Sequence, residues 1–290
     1  MTIIPSQAPV RRSPPQRFAL SRRQQTLLVI ALCALFLLGI IFSTWVIGDS
    51  GLNPVLTQRN QPPSLAHPFG TDWLGRDMLS RSLHGMSLSL RVGLLAATVS
   101  ALIGSGLGLA AGTLGGWVDA VLTWIIDVFF SLPHLVLLIL IAFAVGGGTT
   151  GVIVAVALTH WTSLARVIRA EVLQVNSSDY VQLSHRFGRS PLWIARHHMV
   201  PHIIPQLLVG LILLFPHAIL HEAALSFIGI GLSPHIPAIG IILAESMRHL
   251  STGYWWLGVM PGLLLLLAVK AFDWLGENLR DLLDPKTSQG

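Results

Sequence analysis

Residues 176–205, NSSDYVQLSHRFGRSPLWIARHHMVPHIIP, separate two apolar runs that are each long enough to cross a bilayer. The segment itself carries Arg186, Arg189, Arg196 and four histidines, at 185, 197, 198 and 202. A charged side chain at the centre of a membrane helix costs about 3 kcal/mol on insertion scales, so this stretch belongs outside the lipid. The chain must therefore be a set of apolar helices interrupted by an extramembrane insert. Composition agrees, with 52% hydrophobic and 11% charged residues and a mean hydropathy of +0.68. At ~20 residues per span, 290 residues accommodate one bundle of five to seven spans and leave no length for an appended catalytic domain. Cys33 is the only cysteine, which excludes an intrachain disulfide and a cysteine metal cluster. The net charge of +5 comes from arginines at the ends of apolar segments, a pattern of membrane topology and not of nucleic-acid binding.

In chain order, residues 1–25 form a basic, proline-bearing tail with Arg11, Arg12, Arg17, Arg22 and Arg23. Residues 26–47 are a first span, expected to be a retained anchor because STWVIGDS is a poor cleavage site. Residues 48–88 form an extracytoplasmic segment containing HPFGTDWLGRDMLSRSLHG, in which Asp72 is expected to cap a short interfacial helix bearing Leu74, Met78, Leu79 and Leu83. A permease-like core follows over residues 89–276. Its second span, to about Leu114, repeats Gly104, Gly108 and Gly112, a spacing that admits a close helix neighbour.

The third span, about 118–145, holds Asp127 and is expected to kink at Pro133, just before His134. The fourth, about 152–167, carries His160 and Trp161 and ends near Arg166 and Arg169. The fifth, about 203–227, contains Pro216, His217, His221 and Glu222; an outer loop and a sixth span, about 254–274, lead to a cytoplasmic tail, 277–290. This arrangement puts thirteen of the 18 lysines and arginines on or beside one face of the membrane, which by the positive-inside rule is the cytoplasm. Both termini and the 176–205 insert are thus expected inside the cell.

Within the insert, Asp179 and Gln182 have capping-box spacing, and Tyr180, Leu183, Ser184 and Phe187 share one helical face. Gly188 suits a left-handed helix end. Ser190–Pro191 starts a second helix that Pro201 is expected to end. A short two-faced helix of this kind fits a groove in a soluble partner or lies on lipid headgroups.

Three further stretches carry a family resemblance. The insert resembles the EAA motif of ABC-importer permeases, with Gln182, Leu183 and Ser184 at the three named positions, Gly188 at the glycine, and Val200 and Pro201 at its ending. The named glutamate and both alanines are replaced, and His198 stands where isoleucine is usual. HPFGTDWLGRDMLSR, EAALSFIGIGL at 222–232 and AFDWLGENLRDLLDPK at 271–286 resemble signatures of the dipeptide, oligopeptide and nickel branch, in the family's order. The resemblance implies an all-α, polytopic membrane helix bundle of about six transmembrane helices, the type I ABC-importer permease fold. It also implies a bacterial inner-membrane subunit paired with a second, dissimilar permease subunit, two cytoplasmic ATPase subunits and an extracytoplasmic substrate-binding protein. ATP and Mg would be bound by the ATPase partners and no cofactor by this chain. Consistently, the sequence contains no G-x-x-x-x-G-K-[ST] loop, and Lys270 and Lys286 are its only lysines.

The implied function is import by alternating access, driven through the coupling loop. The cargo is nickel or another metal or metal chelate, or short peptides. The nickel reading draws on THW at His160 and on HAILHE, because His217 and His221 share a helix face and imidazole suits late first-row metals. Such contacts would be transient pathway contacts, the alternative being hydrogen bonds between helices. Asp127 and Glu222 are pathway or packing candidates. Two other classes compete: a self-contained ion-coupled secondary transporter using Asp127, His217, His221 and Glu222, and an intramembrane metalloenzyme. The latter lacks the H-E-x-x-H order.

Overall fold

The computed structural model describes residues 21–283 apart from Pro234. The expectations for residues 1–20 and 284–290, including Arg11, Arg12, Arg17 and Lys286, lie outside the described residues. Among the described residues the regular structure is helical, with one isolated bridge between Thr71 and Asp77. Five helices are long and apolar enough to cross a membrane, and a sixth span is made if one sharply bent pair counts as one.

The first helix, α1 (Arg22–Ile47), starts in a capping box: the Gln24 amide donates to the Ser21 hydroxyl, and the Ser21 amide donates to the Gln24 side chain. The second, α2 (Met78–Leu114), is one continuous helix of 37 residues, about 55 Å at 1.5 Å per residue. The expected short interfacial helix and the second span are therefore a single element. Asp77, not Asp72, caps it by accepting from the Ser80 amide at 2.8 Å. Asp72 has a different role, described below.

The third span breaks more sharply than a proline kink. Helices α3 (Gly116–Ser131) and α4 (His134–Ala144) meet at 100° across Leu132 and Pro133. With 16 and 11 residues, neither half reaches the ~20 needed to cross alone. Proline disfavours helical geometry in the residue before it, and Leu132 is accordingly extended (φ −93°, ψ 143°). The long helix α5 (Gly148–Asn176) then lies along α2. The glycine repeat sets that contact. A Cβ on Gly108 would stand 2.5 Å from the Ala165 carbonyl oxygen, one on Gly104 2.6 Å from the Trp161 carbonyl oxygen, and one on Gly112 2.7 Å from the Val172 side chain. Because 104, 108 and 112 meet 161, 165 and 172 in ascending order, α2 and α5 run parallel.

Helix α6 (Asp179–Arg186) follows directly. It therefore sits at the end of the bundle where α2 finishes, remote from the 49–81 segment where α2 begins. After it, α7 (Pro191–Ile194), a π turn (Ala195–Met199) and α8 (Val200–Ile228) form one path through the bundle. Pro201 does not end the helix as expected. The turn before it widens instead, with the Val200 amide donating to the Ala195 carbonyl five residues back, and helices absorb interior prolines by such local widening. The expected outer loop contains a helix, α9 (Ile239–Met247), pressed against α8: a Cβ on Gly240 would lie 2.1 Å from the Ala223 carbonyl oxygen. The last helix, α10 (Trp256–Leu283), packs on α1, α8 and α9.

Candidate functional site

Three places concentrate polar chemistry: the segment before α2, a pocket between α3, α4, α5 and α8, and the tip formed by α6 and α7.

At the α2 start, Asp72 is fully buried and accepts from both arginines of its stretch, Arg76 Nε and Arg81 Nη1, each at 2.7 Å. Arg81 also donates to Glu245 at the end of α9, at 2.8 Å. Both guanidinium groups lie over the ring of Trp73, which stacks on His249. His67 completes the group by pairing with Asp77 at 2.8 Å. HPFGTDWLGRDMLSR is thus a closed ionic network that ties residues 67–81 to 245–249.

EAALSFIGIGL has an equally structural use. Glu222 is fully buried and accepts from the Ser226 hydroxyl at 2.8 Å. The Ser226 oxygen in turn accepts from the Leu232 amide, which folds the chain back after Gly229. Glu222 therefore secures the end of α8. Asp127 faces outward and pairs with Arg166 of α5 at 2.9 Å, and Arg166 also covers Phe130.

The pocket, about 200 Å³, is lined by Phe129, Phe130, His134, Thr159, His160, Thr162, Ser163, His217 and His221. All three histidines read from the sequence, His160, His217 and His221, thus line one cavity. The structure adds His134. Its ring is 4.8 Å from that of His160 and 4.9 Å from that of His221, which are themselves 4.9 Å apart. The ring planes cross at 73–78°. The signal for His134 was its place directly after Pro133: the break that seemed only to bend a span turns the first residue of α4 toward α5 and α8. The hydroxyls in the wall give their protons to the backbone, Thr159 to Ala155, Thr162 to Thr159 and Ser163 to His160.

At the tip, Ser178 holds the position before α6 and Asp179 is its first residue, so the expected capping box is not formed. Gln182 donates instead to the Asn176 carbonyl at 3.0 Å. The expected face is present, with Tyr180 and Leu183 half exposed and Phe187 81% exposed. Val181, on the opposite side, is buried. Gly188 has φ +75°, and the Arg189 amide donates to the Ser184 carbonyl, closing the helix in the left-handed way a glycine allows. Ser190 caps α7 by accepting from the Trp193 amide. His198 braces the tip from below, 3.1 Å from the Ser184 hydroxyl and edge-on to Tyr180.

Residues 104–288 match the family described as binding-protein-dependent transport system inner membrane component. The dipeptide transport system permease protein DppC of Bacillus subtilis is 37% identical over 89% of this chain and 82% of its own length. The probable D,D-dipeptide transport system permease protein DdpC of Escherichia coli is 37% identical over 87% and 84%. The glutathione transport system permease protein GsiD of Pectobacterium atrosepticum is 35% identical over 78% and 75%. Among solved structures, an amino acid ABC transporter crystallised with histidines superposes with a TM-score of 0.52 at 20% identity, over 69% of this chain and 92% of that one.

Proposed function

Since this chain belongs to the family of inner membrane components of binding-protein-dependent transport systems, we propose that it is one of two dissimilar permease subunits of a peptide-class importer, driven through α6. It is a multi-pass membrane protein and not itself an enzyme; ATP hydrolysis in this family resides on separate subunits. The relatives named for dipeptides, D,D-dipeptides and glutathione favour a cargo of small peptides over free nickel.

The observation that carries the coupling role is the exposed apolar face of Tyr180, Leu183 and Phe187 on α6, an element too polar to lie in the bilayer. An apolar helix face outside the lipid is stable when a partner's groove covers it. The arrangement is rigid enough to transmit force. Gln182 ties the helix to the end of α5 and Ser184 ties it to the π turn before α8, while Gly188 closes it. ATP and Mg bind the partner subunits. Their closure moves α6, and with it α5 and α8, so that the bundle alternates between facing outward to a substrate-binding protein and inward to the cytoplasm. In this reading α6 and both termini lie in the cytoplasm.

The test is ATP-dependent uptake of a labelled dipeptide into vesicles holding this chain with its permease and ATPase partners. The double variant Leu183→Asp with Phe187→Asp is expected to insert in the membrane normally and to lose at least tenfold in uptake. Uptake by vesicles containing this chain alone would overturn the reading.

A further inference from the structure

The histidine pocket carries chemistry that a peptide path does not require. Three imidazoles from three separate helices, α4, α5 and α8, converge so that one nitrogen of each lies within 4.8 Å of the others. Hydrogen bonds fix which nitrogen two of them present. His160 Nδ1 lies 3.2 Å from the Val156 carbonyl oxygen, and His221 Nδ1 lies 2.6 Å from the His217 carbonyl oxygen. A carbonyl only accepts, so Nδ1 carries the proton in both rings and Nε2 is left with a bare lone pair. An Nδ1–H held by a backbone carbonyl is how proteins orient a metal-binding imidazole. The Thr159 hydroxyl supports this, because its proton goes to Ala155 at 2.8 Å and its oxygen stands 3.0 Å from His160 Nδ1 as a second acceptor.

From this geometry we propose that His134, His160 and His221 bind a late first-row divalent metal ion, such as nickel, cobalt, copper or zinc, through three imidazole nitrogens, with one position open toward the pocket. Imidazole ligands select these metals, and three protein ligands with an open fourth position make an exchangeable site. Metal–nitrogen bonds of ~2.1 Å at tetrahedral angles place nitrogens about 3.4 Å apart. The nitrogens therefore close by at most about 1.4 Å on binding, a movement that side-chain rotation supplies.

The open position faces the cavity that His217 also lines, one turn before His221 on α8. A peptide's amine, carboxylate or deprotonated amide fills that position, so the metal arrives either free or chelated by a peptide-class cargo. This inference rests on the importer reading for its physiological role, but not for the binding itself. Neither Asp127, paired with Arg166, nor Glu222, buried away from the cavity, belongs to the ligand set.

The test is a Co²⁺ titration of the full chain in detergent, read by the visible d–d absorption of four-coordinate cobalt, with Zn²⁺ as competitor. One equivalent is expected to bind, Zn²⁺ is expected to displace it, and His160→Ala with His221→Ala is expected to weaken it at least tenfold. His197→Ala with His202→Ala, exposed histidines of the 176–205 insert, is expected to leave the spectrum unchanged. A four-coordinate signal that survives the pocket variant, or that vanishes with the insert variant, overturns the site.

For the source of the ion, the assembled importer is offered Ni²⁺ alone or as its complex with glycylhistidine. Ni²⁺ uptake from either form that falls at least tenfold in His134→Ala supports the role in the path and identifies the source. Ni²⁺ uptake equal to wild type in both forms overturns it. Uptake of a metal-free dipeptide in the same vesicles separates this outcome from a failure of the importer reading itself.

Discussion

The two ends of α2 solve the problem of polar residues beside a membrane in opposite ways. At its start, Asp72, Arg76, Arg81 and Glu245 satisfy one another inside the fold, and the acid at the centre is wholly buried. Near its finish, α6 is polar overall yet leaves Leu183 half exposed and Phe187 81% exposed. The first region is complete within one chain; the second is the face proposed to dock against another. Stretches that carry signatures of one family can thus be closed internally or left exposed, and burial separates the two.

The largest expected effect falls on the lock. Replacing Asp72 with Ala leaves Arg81, 5% exposed, with only half of its ionic partners. Breaking a buried charge network in this way costs about 3–5 kcal/mol. Thermal unfolding of the purified variant in detergent should show a large loss, whereas Leu183→Asp measured alongside should unfold like the native chain. Equal losses in the two variants would erase the contrast between the ends.

A smaller effect is expected where the two regions are joined, along the α2–α5 seam. Gly108→Val drives a branched side chain into the Ala165 carbonyl, and overpacking of this kind costs about 1–3 kcal/mol. Gly106, on the same helix, has open space around its Cβ position, so Gly106→Ala should cost nothing and can stabilise the helix. If the two substitutions prove equally harmless, the glycine repeat does not set the distance between the helices.

The smallest change in stability belongs to the proposed docking face. Gly188→Val forces a branched residue to φ +75°, at about 1–2 kcal/mol, at a position with open space around its Cβ. Insertion and folding should persist while ATP hydrolysis by the assembled transporter ceases to be accompanied by uptake. Wild-type uptake in this variant would remove the coupling role from the 179–188 segment.

Much of the fold was legible because hydrocarbon imposes strong rules. Long apolar runs read as helices and are helices, and the glycines at 104, 108 and 112 admit a close neighbour and meet one. Gly188 and Ser190–Pro191 announced their turns because φ > 0 and a helix start each favour particular residues. The errors came where a local signal had two outlets. Asp72 has the residue type and place of a cap, yet Asp77 caps α2, because Arg76 and Arg81 draw Asp72 into the interior. Pro133 and Pro201 carry the same chemistry, yet the first divides a span at 100° and the second sits in a continuous helix behind a π turn. The outcome depends on what packs against each.

The histidines draw the line most clearly. Their residue types and helical spacing made His160, His217 and His221 candidates from the sequence alone, since ionisable side chains inside apolar helices need a reason to be there. That His134 joins His160 and His221 depends on the angle of a broken span and on three helices meeting. Periodicity places a side chain on a face of its own helix. Only the packing of separate helices determines which faces meet, and so which nitrogens share a cavity.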